Sequence, residues 1–95
     1  GIMAVIFVKI KDGKIKGLMG ITSDYSYGLV GDYELKLEQT SGEVRKLSIT
    51  KIANYLNSFH IEVTDSQLKS LVGHKFNSDY VLDFLHKILP PELWL

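Results

Sequence analysis

The spacing of the apolar residues changes near residue 50, and this change limits the fold more than any other feature of the chain. Before it, apolar and polar residues alternate in short runs bounded by turn residues, a pattern typical of half-buried β-strands. After it, apolar residues recur at helical spacing, as in Ile52, Tyr55, Leu56 and Phe59. Strands followed by helices indicate an α+β fold. We predict an N-terminal antiparallel sheet of about four strands (two hairpins), packed on one face by about three C-terminal helices.

The first hairpin is predicted over residues 3–21, because Asp12-Gly13 favours the left-handed backbone of a two-residue turn. Since successive side chains of a strand point to opposite faces, this turn determines which residues share the core face. The predicted opposed pairs are Ile10 with Ile15, Val8 with Gly17, Ile6 with Met19, and Ala4 with Ile21.

A second hairpin is predicted over residues 33–49. A loop of three or five residues centred on Gly42 places Leu37 opposite Leu47 and keeps the apolar side chains on one face. A two-residue loop mixes the two faces, so we expect the odd-numbered loop.

Three helices are predicted in the second half of the chain. The first has Thr50 as its N-cap. The second begins at Thr64-Asp65-Ser66-Gln67, which has the pattern of a capping box. The third begins near Asn77 or Ser78 and is stopped by Pro90-Pro91.

The length of 95 residues indicates one domain. We predict a single domain over 3–95, with Gly1-Ile2 as a cloning remnant before Met3. Its parts are a β-rich half at 3–49, a helical half at 50–90 and an apolar tail at 91–95.

Charge and composition narrow the classes of function. The chain has 11 basic and 11 acidic residues and a net charge of zero, which argues against nucleic acid or a polybasic membrane contact as the main partner. It has no cysteine, so disulfides and thiolate metal sites are excluded. The apolar run from Ile2 to Val8 is too short to span a bilayer. We expect a cytoplasmic protein without a membrane contact.

The sequence contains no recognised catalytic, metal-binding or cofactor-binding motif. His60, His74 and His86 lack the spacing of a ligand pair, so we expect no metal and no cofactor. A helix-turn-helix is disfavoured because Asp79 and Asp83 on the third helix would repel phosphates. We favour a non-enzymatic protein, and a small enzyme whose site assembles only in three dimensions is the alternative.

The loop at residues 22–28 is rich in tyrosine, serine, glycine and aspartate, a composition found in recognition loops. In the simpler interpretation, which we favour, Tyr25 and Tyr27 begin an edge strand that runs to Val30. In the other interpretation, both rings contact a partner.

The third helix and the tail carry more apolar surface than one sheet face covers. The apolar side chains of this helix span about 200° of its circumference, roughly twice what packing on one sheet needs. Either the rest of the chain covers the surplus or another subunit or protein does. In the second case Trp94 is the expected hot spot. The surplus consists of Leu82, Leu85, Leu89, Leu93, Trp94 and Leu95.

The leading hypothesis is a small protein-protein interaction or regulatory module. Self-association into a homodimer through the C-terminal helix and tail is one form of it, with the tyrosine loop as a second contact. The alternative is a nucleic-acid-binding regulator that uses the basic first hairpin. The contacts of that alternative are Lys9, Lys11, Lys14 and Lys16.

Overall fold

The chain forms a five-stranded antiparallel sheet with helices on both of its faces. The computed structural model describes residues 3–31 and 33–94, so Gly1-Ile2, the predicted cloning remnant, lies outside the described residues. The sheet order is β4-β3-β2-β1-β5. The strands are β1 (Ala4–Lys11), β2 (Lys14–Ile21), β3 (Tyr27–Val30), β4 (Lys36–Gln39) and β5 (Phe59–Val63). The α-helices are α1 (Ile49–Leu56), α2 (Asp65–Lys69) and α3 (Asp79–Ile88), and 3₁₀ turns occur at Val44–Lys46 and Pro91–Trp94. The predicted α+β fold is confirmed, with five strands instead of about four.

The first hairpin has the predicted turn and a different register. Asp12 and Gly13 both have positive φ, and Ile10 lies opposite Ile15 as expected. A β-bulge then shifts the register by one residue, so the other three predicted pairs are wrong. The bulge has a packing cause. Ile15 and Leu18 are three residues apart and would face opposite sides of a regular strand, yet both are buried in the same core.

The predicted second hairpin is wrong. The strand β4 pairs with β3, so that Leu37 lies opposite Leu29 instead of Leu47. Pairing with β3 incorporates β4 into the five-stranded sheet, whereas residues 44–49 form a 3₁₀ turn and begin α1. After β4, the Thr40 amide donates to the Ser26 carbonyl at 3.0 Å and its hydroxyl donates to the Tyr25 carbonyl.

The helix start signals are confirmed in two cases of three. In α2, the Thr64 hydroxyl accepts from the Gln67 amide at 3.0 Å, and the Gln67 side chain accepts from the Thr64 amide at 2.8 Å. The N-cap of α3 is Ser78, as expected. The N-cap of α1 is Ser48 rather than Thr50. This helix ends at Leu56, before Phe59 of the predicted apolar stripe, because Asn57 adopts a left-handed conformation. The chain then enters β5.

Apolar side chains are buried on both sides of β1, so the prediction of one covered face is wrong. Residues 4–8 are all apolar and all buried, as expected for a central strand packed on both faces. The main core lies beneath α2 and α3 and includes Ile6, Leu68 and Leu85. The second core lies beneath α1 and includes Phe7 and Ala53.

Candidate interaction surfaces

The chain itself covers most of the apolar edge predicted on α3. Leu85 is fully buried and Leu89 is 4% exposed, both within the main core. Leu82 and Leu93 are partly buried and pack against the same core. Packing within the chain therefore accounts for these positions. The side chain of Trp94 and residue Leu95 lie outside the described residues, and self-association through the tail stays a prediction.

The tyrosine loop is held by hydrogen bonds within its own backbone and side chains. The Thr22 hydroxyl donates to the Asp24 carboxylate at 2.8 Å, and the Ser26 amide donates to it at 2.9 Å. These hydrogen bonds, first that from the Ser26 amide and then that from the Thr22 hydroxyl, hold the pKa of Asp24 below its ordinary value. Tyr25 packs against the second core, and Tyr27 begins β3. Since β3 lies between β2 and β4, the predicted edge strand is an internal strand.

A carboxylate on α2 connects this loop to the helices. Asp65 accepts from the Ser23 hydroxyl at 2.7 Å and from the Ser23 backbone amide at 2.8 Å. These two hydrogen bonds, the hydroxyl first, hold the pKa of Asp65 below its ordinary value, and Lys69 contributes a smaller effect in the same direction. The loop is therefore ordered by a contact 42 residues away in the sequence.

Asp65→Asn is expected to lower the free energy of unfolding near neutral pH by about 1 kcal/mol. This is the usual contribution of charge-assisted hydrogen bonds, reduced because Asp65 is partly exposed and solvent screens its charge. Because the folded-state pKa is depressed, this contribution is complete above about pH 4 and is lost as the pH falls through the folded-state pKa. Urea unfolding at several pH values measures the difference between the two proteins. In a double-mutant cycle with Ser23→Ala, additive effects would contradict the contact.

The four lysines of the first hairpin are all exposed, and three of them surround one cavity at the end of the sheet. Lys9, Lys11 and Lys16 line this cavity of about 690 Å³, together with the half-exposed ring of Phe59. Lys14 lies beside it at the hairpin turn, opposite Lys11. The structure thus brings the predicted basic residues together on one end of the molecule.

Sequence reasoning missed an apolar groove beside α1. We call it the α1 groove, and its volume is about 450 Å³. Tyr55 is 89% exposed and Leu47 is 42% exposed at this groove. The sequence pattern placed Tyr55 on the buried stripe of its helix and Leu47 in a strand, so neither was expected at the surface. The groove is lined by Ile21, Val44, Leu47, Lys51, Ile52, Tyr55 and Leu56.

Searches for familiar sites and relatives add no assignment. Among residues 3–31 and 33–94, no three or more His, Asp or Glu side chains are grouped so as to hold a metal ion. Of the helices in the described part of the chain, none has the length and apolar character needed to cross a membrane. Comparison of the chain with models of known protein families, with curated proteins and with solved structures found no match.

Proposed function

We propose that this protein is an interaction module that binds an amphipathic, acidic segment of a partner protein in the α1 groove. The observation that carries this proposal is the exposure of Tyr55 and Leu47 at a groove whose lining is otherwise almost entirely apolar. Large apolar side chains exposed together on a soluble protein mark surfaces that another molecule covers. Tyrosine is also enriched among the residues that dominate binding energy at interfaces.

The shape of the groove favours a helical segment. One wall is α1 and the other is the turn at Val44–Lys46 with the residue that follows it. A groove of this kind accepts the apolar face of an amphipathic helix, whose anchors recur every three or four residues. The volume of about 450 Å³ is enough for a few such side chains.

The charges at the groove favour acidic residues in the partner. Lys51 is the charged residue in the lining, and Arg45 is exposed in the adjacent 3₁₀ turn. Lys46 in the same turn pairs with Glu43 at 3.7 Å on an exposed surface, where such a pair is worth little. Acidic groups flanking the partner's apolar anchors would therefore meet complementary charge.

The proposal is tested by panning a phage-displayed library of random peptides of about 12 residues, roughly three helical turns, against the immobilised full chain. Selected peptides are expected to combine aromatic or leucine residues at helical spacing with Asp and Glu. Tyr55→Ala is expected to weaken their binding by at least about tenfold, because it removes the main apolar contact.

Tyr33→Ala is the matched control, since Tyr33 is 69% exposed and lies outside the groove. It should leave peptide binding unchanged. Equal binding of the selected peptides to the parent protein and to Tyr55→Ala would overturn the proposal, as would selected peptides without acidic enrichment.

A further inference from the structure

The strand β2 has a full neighbour on one edge and a short neighbour on the other. On one edge, β1 pairs with it from Lys14 to Ile21. On the other edge, within the described residues, β3 pairs with it only at Gly20 and Ile21. Backbone N–H and C=O groups along an antiparallel strand point alternately to its two edges. Within the described part of the chain, the edge of β2 at residues 14–19 therefore has no paired strand on this side.

The chain turns away from this edge at Gly31. If β3 continued in the register that places Leu29 opposite Gly20, Gly31 would lie opposite Leu18. Instead, Gly31 has φ of +148° and starts a turn. Beyond it, Leu35 exchanges backbone hydrogen bonds of 2.9 Å with Gly73 and His74. The backbone that would have covered residues 14–19 is thus committed to another contact.

This departure leaves an opening that we call the β2 cleft, with a volume of about 480 Å³. It combines strand edge from β2 with apolar surface from Phe76 and Val30. It shares no lining residue with the α1 groove, so inferences about the two surfaces are independent. The cleft is lined by Lys16, Gly17, Leu18, Met19, Val30, Gly31 and Phe76.

The charges on this edge decide which occupant fits. Lys14 and Lys16 are both exposed on β2, and among the described residues the lining of the cleft contains no carboxylate. Lysines on an open edge repel a second copy of the same strand, which disfavours self-pairing here. They attract a strand that carries acidic side chains.

We propose that an extended, acidic segment of a partner protein adds to the sheet along residues 14–19 of β2. Its backbone pairs with the open edge, which is the β-augmentation mode of peptide recognition. Its acidic side chains lie beside Lys14 and Lys16, and its apolar side chains enter the β2 cleft toward Phe76. An alternating acidic and apolar sequence meets both requirements, because successive side chains of a strand point to opposite faces.

The experiment follows backbone amide resonances of the ¹⁵N-labelled full chain during titration with the capped peptide Glu-Val-Glu-Val-Glu-Val-Glu. Shifts are expected at residues 14–19, with slower amide exchange there. The same peptide with every backbone nitrogen methylated keeps its side chains and loses its donors, so it should bind at least about tenfold more weakly. The double variant Lys14→Glu/Lys16→Glu should also lose at least about tenfold, through charge reversal at both positions.

The matched control is Lys36→Glu/Lys69→Glu, which reverses two exposed lysines on β4 and α2 and should leave binding unchanged. Equal binding of the methylated and unmethylated peptides would overturn strand addition without requiring any protein variant. Shifts confined to the α1 groove, or no shift at millimolar peptide, would also overturn it. A single-stranded oligonucleotide that displaces the peptide at low salt and loses binding on lysine reversal would assign the edge to nucleic acid instead.

Discussion

Gly31→Ala is expected to lower the unfolding free energy by about 2–4 kcal/mol, more than a typical surface substitution. Gly31 has φ of +148°, a conformation that side chains other than glycine rarely adopt. A Cβ atom at this position would also collide with the backbone carbonyl of Glu34. The turn would have to open, and opening it displaces Leu35, which is fully buried in the main core. Urea unfolding followed by circular dichroism measures the loss.

Gly42→Ala is the control for this substitution. A Cβ atom at Gly42 would meet no heavy atom within 4 Å. The expected change is therefore within about 1 kcal/mol, and a reduced entropy of the unfolded chain contributes to it. If both glycine variants lost the same stability, the steric explanation for Gly31 would be refuted.

Leu85→Ala is expected to cost about 2–5 kcal/mol, the range for removing a buried leucine side chain and leaving a cavity. Leu85 is fully buried where α3 packs on the sheet. A loss of this size is large for a small domain, whose total stability is about 5–15 kcal/mol. The same urea unfolding curves report the effect, and Leu85→Val provides a smaller deletion if the alanine variant is mostly unfolded.

Leu47→Ala removes the same atoms from a side chain that is 42% exposed and should cost under about 1 kcal/mol. Comparing the two variants distinguishes a role of Leu85 in the core from a role in an interface. If Leu85 served mainly an interface, its replacement would alter association and spare the stability of the monomer. Equal stability losses for Leu85→Ala and Leu47→Ala would contradict the burial described here.

The features that were predictable from the sequence depend on short-range chemistry. The turn at Asp12-Gly13 requires positive φ at two adjacent positions, and few residue pairs provide it. The capping box at the start of α2 joins residues only three positions apart. Both signals act within one turn of chain, so they do not depend on which distant segments pair.

The features that were missed depend on which distant segments pair. Residues 44–49 have an apolar pattern that is compatible with a strand, but β4 pairs with β3 and releases them to line the α1 groove. Phe59–Val63 alternates apolar and polar residues, and this pattern was available as evidence for β5. The helical spacing between Ile52 and Phe59 instead favoured placing Phe59 on the first helix.

Among the candidate surfaces, too, the parts set by local chemistry were predictable and the parts set by distant pairing were not. The lysines of the first hairpin were identified individually, because their exposure follows from their chemistry. The open edge of β2 was not foreseen, because it exists only where Gly31 directs the chain away from the sheet. Similarly, exposure of Tyr55 depends on how α1 is rotated over β1, which helical periodicity alone does not specify.

Antiparallel pairing of β1 with β5 has a consequence for biosynthesis. Ala4 lies opposite Val63, so β1, which is synthesised before the other strands of this sheet, has to wait for residues 59–63 before its second edge is covered. Until then, a nascent hairpin made of β1 and β2 exposes an apolar strand without its neighbour, the condition under which nascent chains aggregate or recruit chaperones. The exposed lysines give neighbouring nascent hairpins the same charge, and this repulsion opposes their association during that interval.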